Sequence, residues 1–278
     1  MSQTECQITI LVEDEKTFLL PAVERTVRTL SESGFRVTHL GIVPPKLARL
    51  RGWRIPLWYL RVFGLWNTTL LAAFAALERW RRQRAGRGAE WISRSWRELA
   101  EKSGVATLRF LPAPNEPESI AFLRASNCDI LLIMVPYVLG PEVLATPSKG
   151  VINKHAAILP GCRGLFPYVW STILGKPLGV TFHKVVARID AGPILVQRRV
   201  VESGQPRSMV EFYIWVFRQF PEMASEAVRR LCSLNEEPAH SETREDYFSL
   251  PTRADYKRFH RAGGRIICLR DLRRSLVL

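Results

Sequence analysis

Cysteine is sparse and unpatterned in this chain. Cys6, Cys128, Cys162, Cys232 and Cys268 are scattered, odd in number, and form no C-x-x-C. That argues against a disulfide framework and a cysteine-based zinc site, and it suits a reducing cytoplasm. His39, His240 and His260 show no metal-ligand spacing, so no metal is expected. There is no G-x-G-x-x-G and no G-x-x-x-x-G-K-[ST], which excludes the dinucleotide fingerprint and the P-loop. No internal repeat is present, so a solenoid or propeller is excluded. Residues 1–7 lack a basic region leading into an apolar one, and no secretory leader is expected from them. The apolar run Val62 to Leu77, at 16 residues, falls short of the ~20 that an ordinary membrane span needs. Acids are outnumbered 26 to 40 by lysine and arginine, leaving a net charge of +14.

What is present is an ordinary globular composition, with 47% apolar and 24% charged residues. A chain of 278 residues is one large domain, or one domain with an appendage. Apolar runs read as strands at Ile8 to Val12, Phe35 to Val43, Thr107 to Leu111, Asp129 to Val135, Gly150 to Ile158, Val180 to Val186 and Ile194 to Val200. Helical patterns fall at Phe18 to Glu32, Glu116 to Ser126, Pro167 to Leu174 and Ser208 to Ser233. This alternation predicts an α/β fold: an open, mostly parallel sheet with helices on both faces. Ligands of such sheets gather beyond the carboxyl ends of the strands.

The stretch Gly150 to Gly164 places its chemistry at such an end. In an extended segment Asn153 and His155 point the same way, because side chains repeat every second residue. An amide donor therefore lies beside a titratable imidazole. Asp190, in a Gly/Pro-rich loop after the next apolar strand, supplies a carboxylate. An amine attacking a formyl or acyl carbon creates an oxyanion and must lose a proton. Asn153 and His155 suit the oxyanion, and Asp190 suits the proton. His183, two residues after Thr181 on a strand, reads as a structural neighbour. Cys162 lacks an activated partner and does not read as a nucleophile.

The pattern Asn-x-His-x-x-x-Leu-Pro, then Arg163-Gly164, Gly-Val-Thr-x-His and Asp-x-Gly-Pro-Ile, resembles the folate-dependent formyltransferases. These include the glycinamide ribonucleotide, methionyl-tRNA and sugar formyltransferases. The resemblance runs from about Asp129 to Val201 and extends to the first strand and helix; it does not cover Lys46 to Arg109 or the tail. It implies a catalytic domain over residues 1–205, with a helical insertion at about 46–103, and a C-terminal helix and tail over 206–278 packing on the core. It implies the catalytic roles of Asn153, His155 and Asp190, acceptor contacts at Arg163 and Gly164, and 10-formyltetrahydrofolate as formyl donor. The pterin would lie between Pro136, Tyr137, Val138 and Leu139 on one side and Ala187 and Arg188 on the other. Many relatives have Ser-Leu-Leu-Pro after the histidine, where this chain has Ala157-Ile158-Leu159-Pro160; any contact by that serine is absent here.

Residues 46–87 set this chain apart. Ten basic residues (Lys46, Arg49, Arg51, Arg54, Arg61, Arg79, Arg81, Arg82, Arg84 and Arg87) face one acid, Glu78. Trp53, Trp58, Trp66 and Trp80 lie in the same segment. Basic flanks, tryptophans and an apolar centre are what an interfacial helix hairpin presents to an anionic membrane. A subunit interface or lid in a homo-oligomer, and a true insertion, are the other readings. The same charge suits tRNA, but the tRNA branch carries a β-barrel after its core, and Ser208 to Ser233 reads here as a helix. The expected acceptor is a primary amine on a small or lipid-linked molecule, an amino sugar among them. A formyltetrahydrofolate hydrolase, a methionyl-tRNA formyltransferase and a catalytically silent membrane-associated module are the alternatives. The expected location is cytoplasmic, peripheral at the inner face of the membrane.

Overall fold

Runs of Ile, Leu and Val long enough to cross a sheet, and too apolar to face water on either side, set the centre of this protein. The computed structural model describes residues 6–85, 92–201, 204–233 and 247–276. Strand β1 (Gln7–Glu13) leads to helix α1 (Leu19–Glu32) and strand β2 (Arg36–Val43). The long helix α2 (Arg54–Ala85) and the short α3 (Trp96–Lys102) come next, then β3 (Thr107–Phe110), α4 (Pro117–Ala125), β4 (Ile130–Met134) and α5 (Pro141–Leu144). β5 (Gly150–His155), β6 (Arg163–Gly164), α6 (Pro167–Ile173), β7 (Gly179–Lys184) and β8 (Ile194–Arg199) carry the motif region. The chain ends in α7 (Met209–Ser233), β9 (Tyr247–Phe248), α8 (Arg253–Arg261) and a 3₁₀ turn at Leu269–Arg273.

Seven strands form one sheet in the order β3-β2-β1-β4-β5-β7-β8. The five from β3 to β5 are parallel, whereas β7 and β8 are antiparallel to their neighbours. Every residue of β4 is buried, as a central strand covered on both faces requires. Ile8, Ile10 and Val12 of β1 turn toward a core shared with α1 and α7, while Leu11 turns toward the core on the opposite face. α1 buries Leu20, Val23, Val27 and Leu30, a helical stripe, and the carboxylate of Glu15 caps its start by accepting from the N–H groups of Thr17, Phe18 and Leu19.

α2 is two helices joined at Gly64, where φ 82° and ψ 168° leave the helical region that only glycine leaves cheaply. Its first part packs Trp58, Tyr59 and Phe63 around Phe166. Its second part buries Leu70 and Phe74 in the core, and Asn67 donates to the Tyr256 hydroxyl on α8. Near its end Glu78 is buried, pairs with Arg81 at 2.8 Å, and accepts from the Leu276 N–H at 2.9 Å. Arg82 reaches Glu24 of α1 at 3.1 Å. Thus two of the basic residues of this segment, Arg81 and Arg82, are internal ties. Arg87 and His240 lie outside the described residues.

Candidate active site

Pairing register brings the polar residues together. β5 runs antiparallel to β7, with Asn153 opposite His183 and His155 opposite Thr181. Asn153 and His183 therefore share one face at the end of the parallel sheet. The turn between β7 and β8 folds back so that Asp190 sits between them and His155. Asp190 Oδ2 is 3.5 Å from His155 Nδ1, and Oδ1 is 3.5 Å from both His183 Nε2 and Asn153 Nδ2. The same carboxylate accepts from the Gly164 N–H at 2.9 Å.

Backbone strain marks the cluster. Asp190 has φ +48°, a left-handed conformation that a non-glycine residue holds only when its surroundings impose it. Gly164 has φ +95°, and a Cβ there would strike the Phe248 carbonyl oxygen. That close approach exists because β6 pairs with β9, and Leu165 N–H donates to the same carbonyl at 2.9 Å. Trp170 stacks on Phe248 at 4.7 Å between ring centroids. The tail segment thus clamps the loop whose amide holds Asp190.

Each histidine has its second ring nitrogen fixed. His155 Nε2 lies 2.8 Å from the Cys162 carbonyl, so it carries a proton and donates. Nδ1 is left toward Asp190. Burial lowers the proton affinity of the His155 ring, with Asp190 and the Cys162 carbonyl working the other way. His183 Nδ1 lies 3.1 Å from the Lys184 carbonyl and donates to it, which leaves Nε2 toward Asn153 and Asp190. For Asp190, burial alone would raise the pKa. The positive field of His155, the His183 contact and the Gly164 amide outweigh it and hold the carboxyl well below the usual range.

Thr181 stiffens the floor beneath. Its hydroxyl donates to the Ala157 carbonyl at 2.7 Å and accepts from the Leu159 N–H and from Gln197. Arg163 is buried, and Gly164 commits its amide to Asp190, so both of the expected acceptor contacts are built into the cluster's wall. In the 136–139 loop, Tyr137 donates to the Pro44 carbonyl, the Val138 carbonyl accepts from Asn115, and Leu139 is buried. Val138 stays exposed beside Pro136, and on the other loop Ala187, Arg188 and Ile189 are exposed. Among the described residues no cluster of His, Cys, Asp and Glu could hold a metal ion.

Sequence reasoning missed three partners: His183 on Asp190, the Cys162 carbonyl on His155, and the Gly164 amide on Asp190. The first depends on the β5–β7 register and the other two on loop backbone. None has a signature in residue type or spacing.

The formyl transferase family profile matches residues 113–202, the stretch that contains the whole cluster. A methionyl-tRNA formyltransferase of Thermotoga neapolitana is 34% identical over 117 residues, 41% of this chain and 37% of that protein. One from Mycobacteroides abscessus is 38% identical over 115 residues, 40% and 36% of the two chains. The matched stretch is thus little more than a third of those relatives. Among solved structures, a sugar N-formyltransferase from Shewanella sp. superimposes with a TM-score of 0.53 at 17% identity, covering 92% of this chain and 87% of that one. A phosphoribosylglycinamide formyltransferase from Brucella melitensis does so with a TM-score of 0.53 at 15% identity, covering 85% and 100%. At such identities the likeness is one of fold. Residues 113–202 thus match the formyl transferase family profile, and the fold around them is similar to that of solved formyltransferases.

Proposed function

We propose that this protein transfers a formyl group from 10-formyltetrahydrofolate to a primary amine on a small or lipid-linked acceptor, an amino sugar being one such molecule. The observation that carries this reading is the convergence of an amide, two imidazoles and a strained carboxylate at one strand end inside the family-matched segment. The donor supplies the formyl carbon. Asn153 Nδ2 makes only long contacts, 3.4 Å to His183 and 3.5 Å to Asp190, and is available to donate to negative charge building on the formyl oxygen. A donor of this kind contributes about 3–4 kcal/mol to the barrier reduction. The attacking amine becomes cationic as the new C–N bond forms and must shed a proton. His155 Nδ1, oriented by the Cys162 carbonyl and facing ionised Asp190, takes it directly or through water. The leaving folate nitrogen takes a proton in turn as the old C–N bond breaks.

The same residues serve a hydrolase if water replaces the amine, and neither serves a silent module. Incubating the protein with 10-formyltetrahydrofolate and a panel of amines separates the three. Formylated amine in stoichiometric yield is the expected result. Free formate at the same rate with and without amine marks a hydrolase, and folate binding without turnover marks a binding module.

A further inference from the structure

We infer that the outer face of α2 docks on an anionic lipid surface. The helix has two unlike sides. Val62, Phe63, Leu70 and Phe74 are buried against the core, and Asn67 and Glu78 are tied to the C-terminal segment. The other side is open. Trp53, Leu65 and Trp66 are 71%, 70% and 65% exposed, and Trp80 is 52% exposed. Beyond Gly64, Leu65, Thr69, Ala72 and Ala76 follow at helical spacing on this side, all exposed. No charge interrupts the helix between Arg61 and Glu78.

Positive charge flanks this apolar strip at both ends. Arg49, Arg51, Arg54 and Arg61 are exposed at one end, and Arg79 and Arg84 at the other. Among the described residues none of the six enters an ion pair, and the only acid of α2, Glu78, is buried. Two of the tryptophans lie beside guanidinium groups: Arg54 sits 6.0 Å from the Trp53 ring and Arg84 4.8 Å from that of Trp80. Tryptophan and arginine at the margins of an apolar strip are the arrangement that settles at a headgroup boundary.

A second copy of this chain is a poorer occupant. Pairing this face with itself, in either direction, brings arginine against arginine with no exposed acid on the helix to compensate. The strip from Leu65 to Trp80 is about 24 Å long and about 10 Å wide, roughly 240 Å², against the ~800 Å² per partner of a stable interface. An anionic bilayer supplies both the complementary charge and the apolar interior. The docked helix also carries Trp58, Tyr59 and Phe63, which hold Phe166 two residues from Gly164. Docking would therefore set the wall of the cluster close to the lipid headgroups, where a lipid-linked amine is presented.

The test is co-sedimentation of the whole protein with phosphatidylcholine vesicles, with and without phosphatidylglycerol. Partitioning onto the anionic vesicles is expected, weakening as salt rises and much reduced on phosphatidylcholine alone. Replacing Arg54 and Arg61 together by Gln should lower it about thirtyfold, at the usual contribution of a juxtamembrane basic residue. Replacing Leu65 and Trp66 together by Ser should lower it at least about tenfold. All four side chains are exposed, and an unchanged melting temperature verifies that each variant is folded. A protein that stays in the supernatant at low salt overturns the inference. So does binding that follows the arginines and ignores Leu65 and Trp66, which marks a general polyanion site. A dimer in light scattering that dissociates in the Leu65/Trp66 variant assigns the face to a second copy instead. Partitioning is read without turnover, so these outcomes stand apart from the fate of the formyl transfer reading.

Discussion

The cluster at the end of β5 and the outer face of α2 handle charge in opposite ways. At the cluster, one carboxylate is almost fully buried and met by two imidazoles, an amide side chain and a backbone N–H. On and just before α2, six arginines stand in solvent without ion-pair partners among the described residues. The first arrangement pushes a pKa far from its ordinary value and makes protonation site-specific; the second is screened and acts only through its sum. Chemistry is therefore expected from the few buried charges, and adhesion from the many exposed ones.

The sharpest break between the two regions is Asp190→Asn. It keeps shape but removes the carboxylate that both histidines face, so turnover should fall by about 10²–10⁴ while affinity for a folate analogue stays within a few-fold. Near-normal turnover, read in a steady-state formyl transfer assay, would falsify the assignment of Asp190. Next in size is Glu78→Ala on α2, which leaves Arg81 and the Leu276 N–H without their carboxylate. Breaking a buried pair of this kind costs about 3–5 kcal/mol, read as a lower urea midpoint, with turnover per folded molecule nearly unchanged. An equal loss of activity would mean that the helix and the site are not separable.

A saturating folate analogue should raise thermal stability, by about 3–4 kcal/mol at 100 to 1,000 times its Kd, whereas NAD and ATP should not. Stabilisation by NAD with none from folate would move the ligand away from the β5 cluster. The smallest effect belongs to Glu13, at the end of β1, whose pKa burial raises to about 7 from 4.5 against the opposing hydrogen bond from the Lys46 N–H. A carboxyl that holds its proton more tightly when folded adds stability in full below pH 4.5 and loses it as pH rises toward about 7. Glu13→Gln should flatten that decline in melting temperature. Asp190, lowered instead, acts with the opposite sign: its contribution is present above its unfolded pKa and is lost as pH falls toward its depressed folded value.

Much of the fold was legible because the strands are buried on both faces and read as unbroken apolar runs. The expected Asp129 to Val135 strand is observed as Ile130–Met134, and the expected Ser208 to Ser233 helix as Met209–Ser233. The antiparallel direction of β7 and β8 was not legible, since apolar content does not encode pairing sense. Nor was the form of α2. One continuous helix and two helices joined at a glycine share one composition, and only the backbone at Gly64 tells them apart.

Asn153, His155 and Asp190 stand out from sequence because they are short polar interruptions in apolar strands and Gly/Pro loops, where only chemistry or a hydrogen bond justifies them. Their neighbours do not. His183 reaches Asp190 because a register places it opposite Asn153, and Tyr247 and Phe248 clamp Gly164 from 83 and 84 positions away in the chain. Cys6 and Cys232 likewise lie side by side, although their spacing suggested no relation. From its own sequence this protein determined which segments must be buried, which side chains carry the chemistry, and where its excess charge lies, because periodicity and residue type are local properties. Tertiary structure alone decided which imidazole nitrogen faces Asp190, which arginines of residues 46–87 become internal ties, and which side of α2 stays open, because those depend on register and packing between segments far apart in the chain.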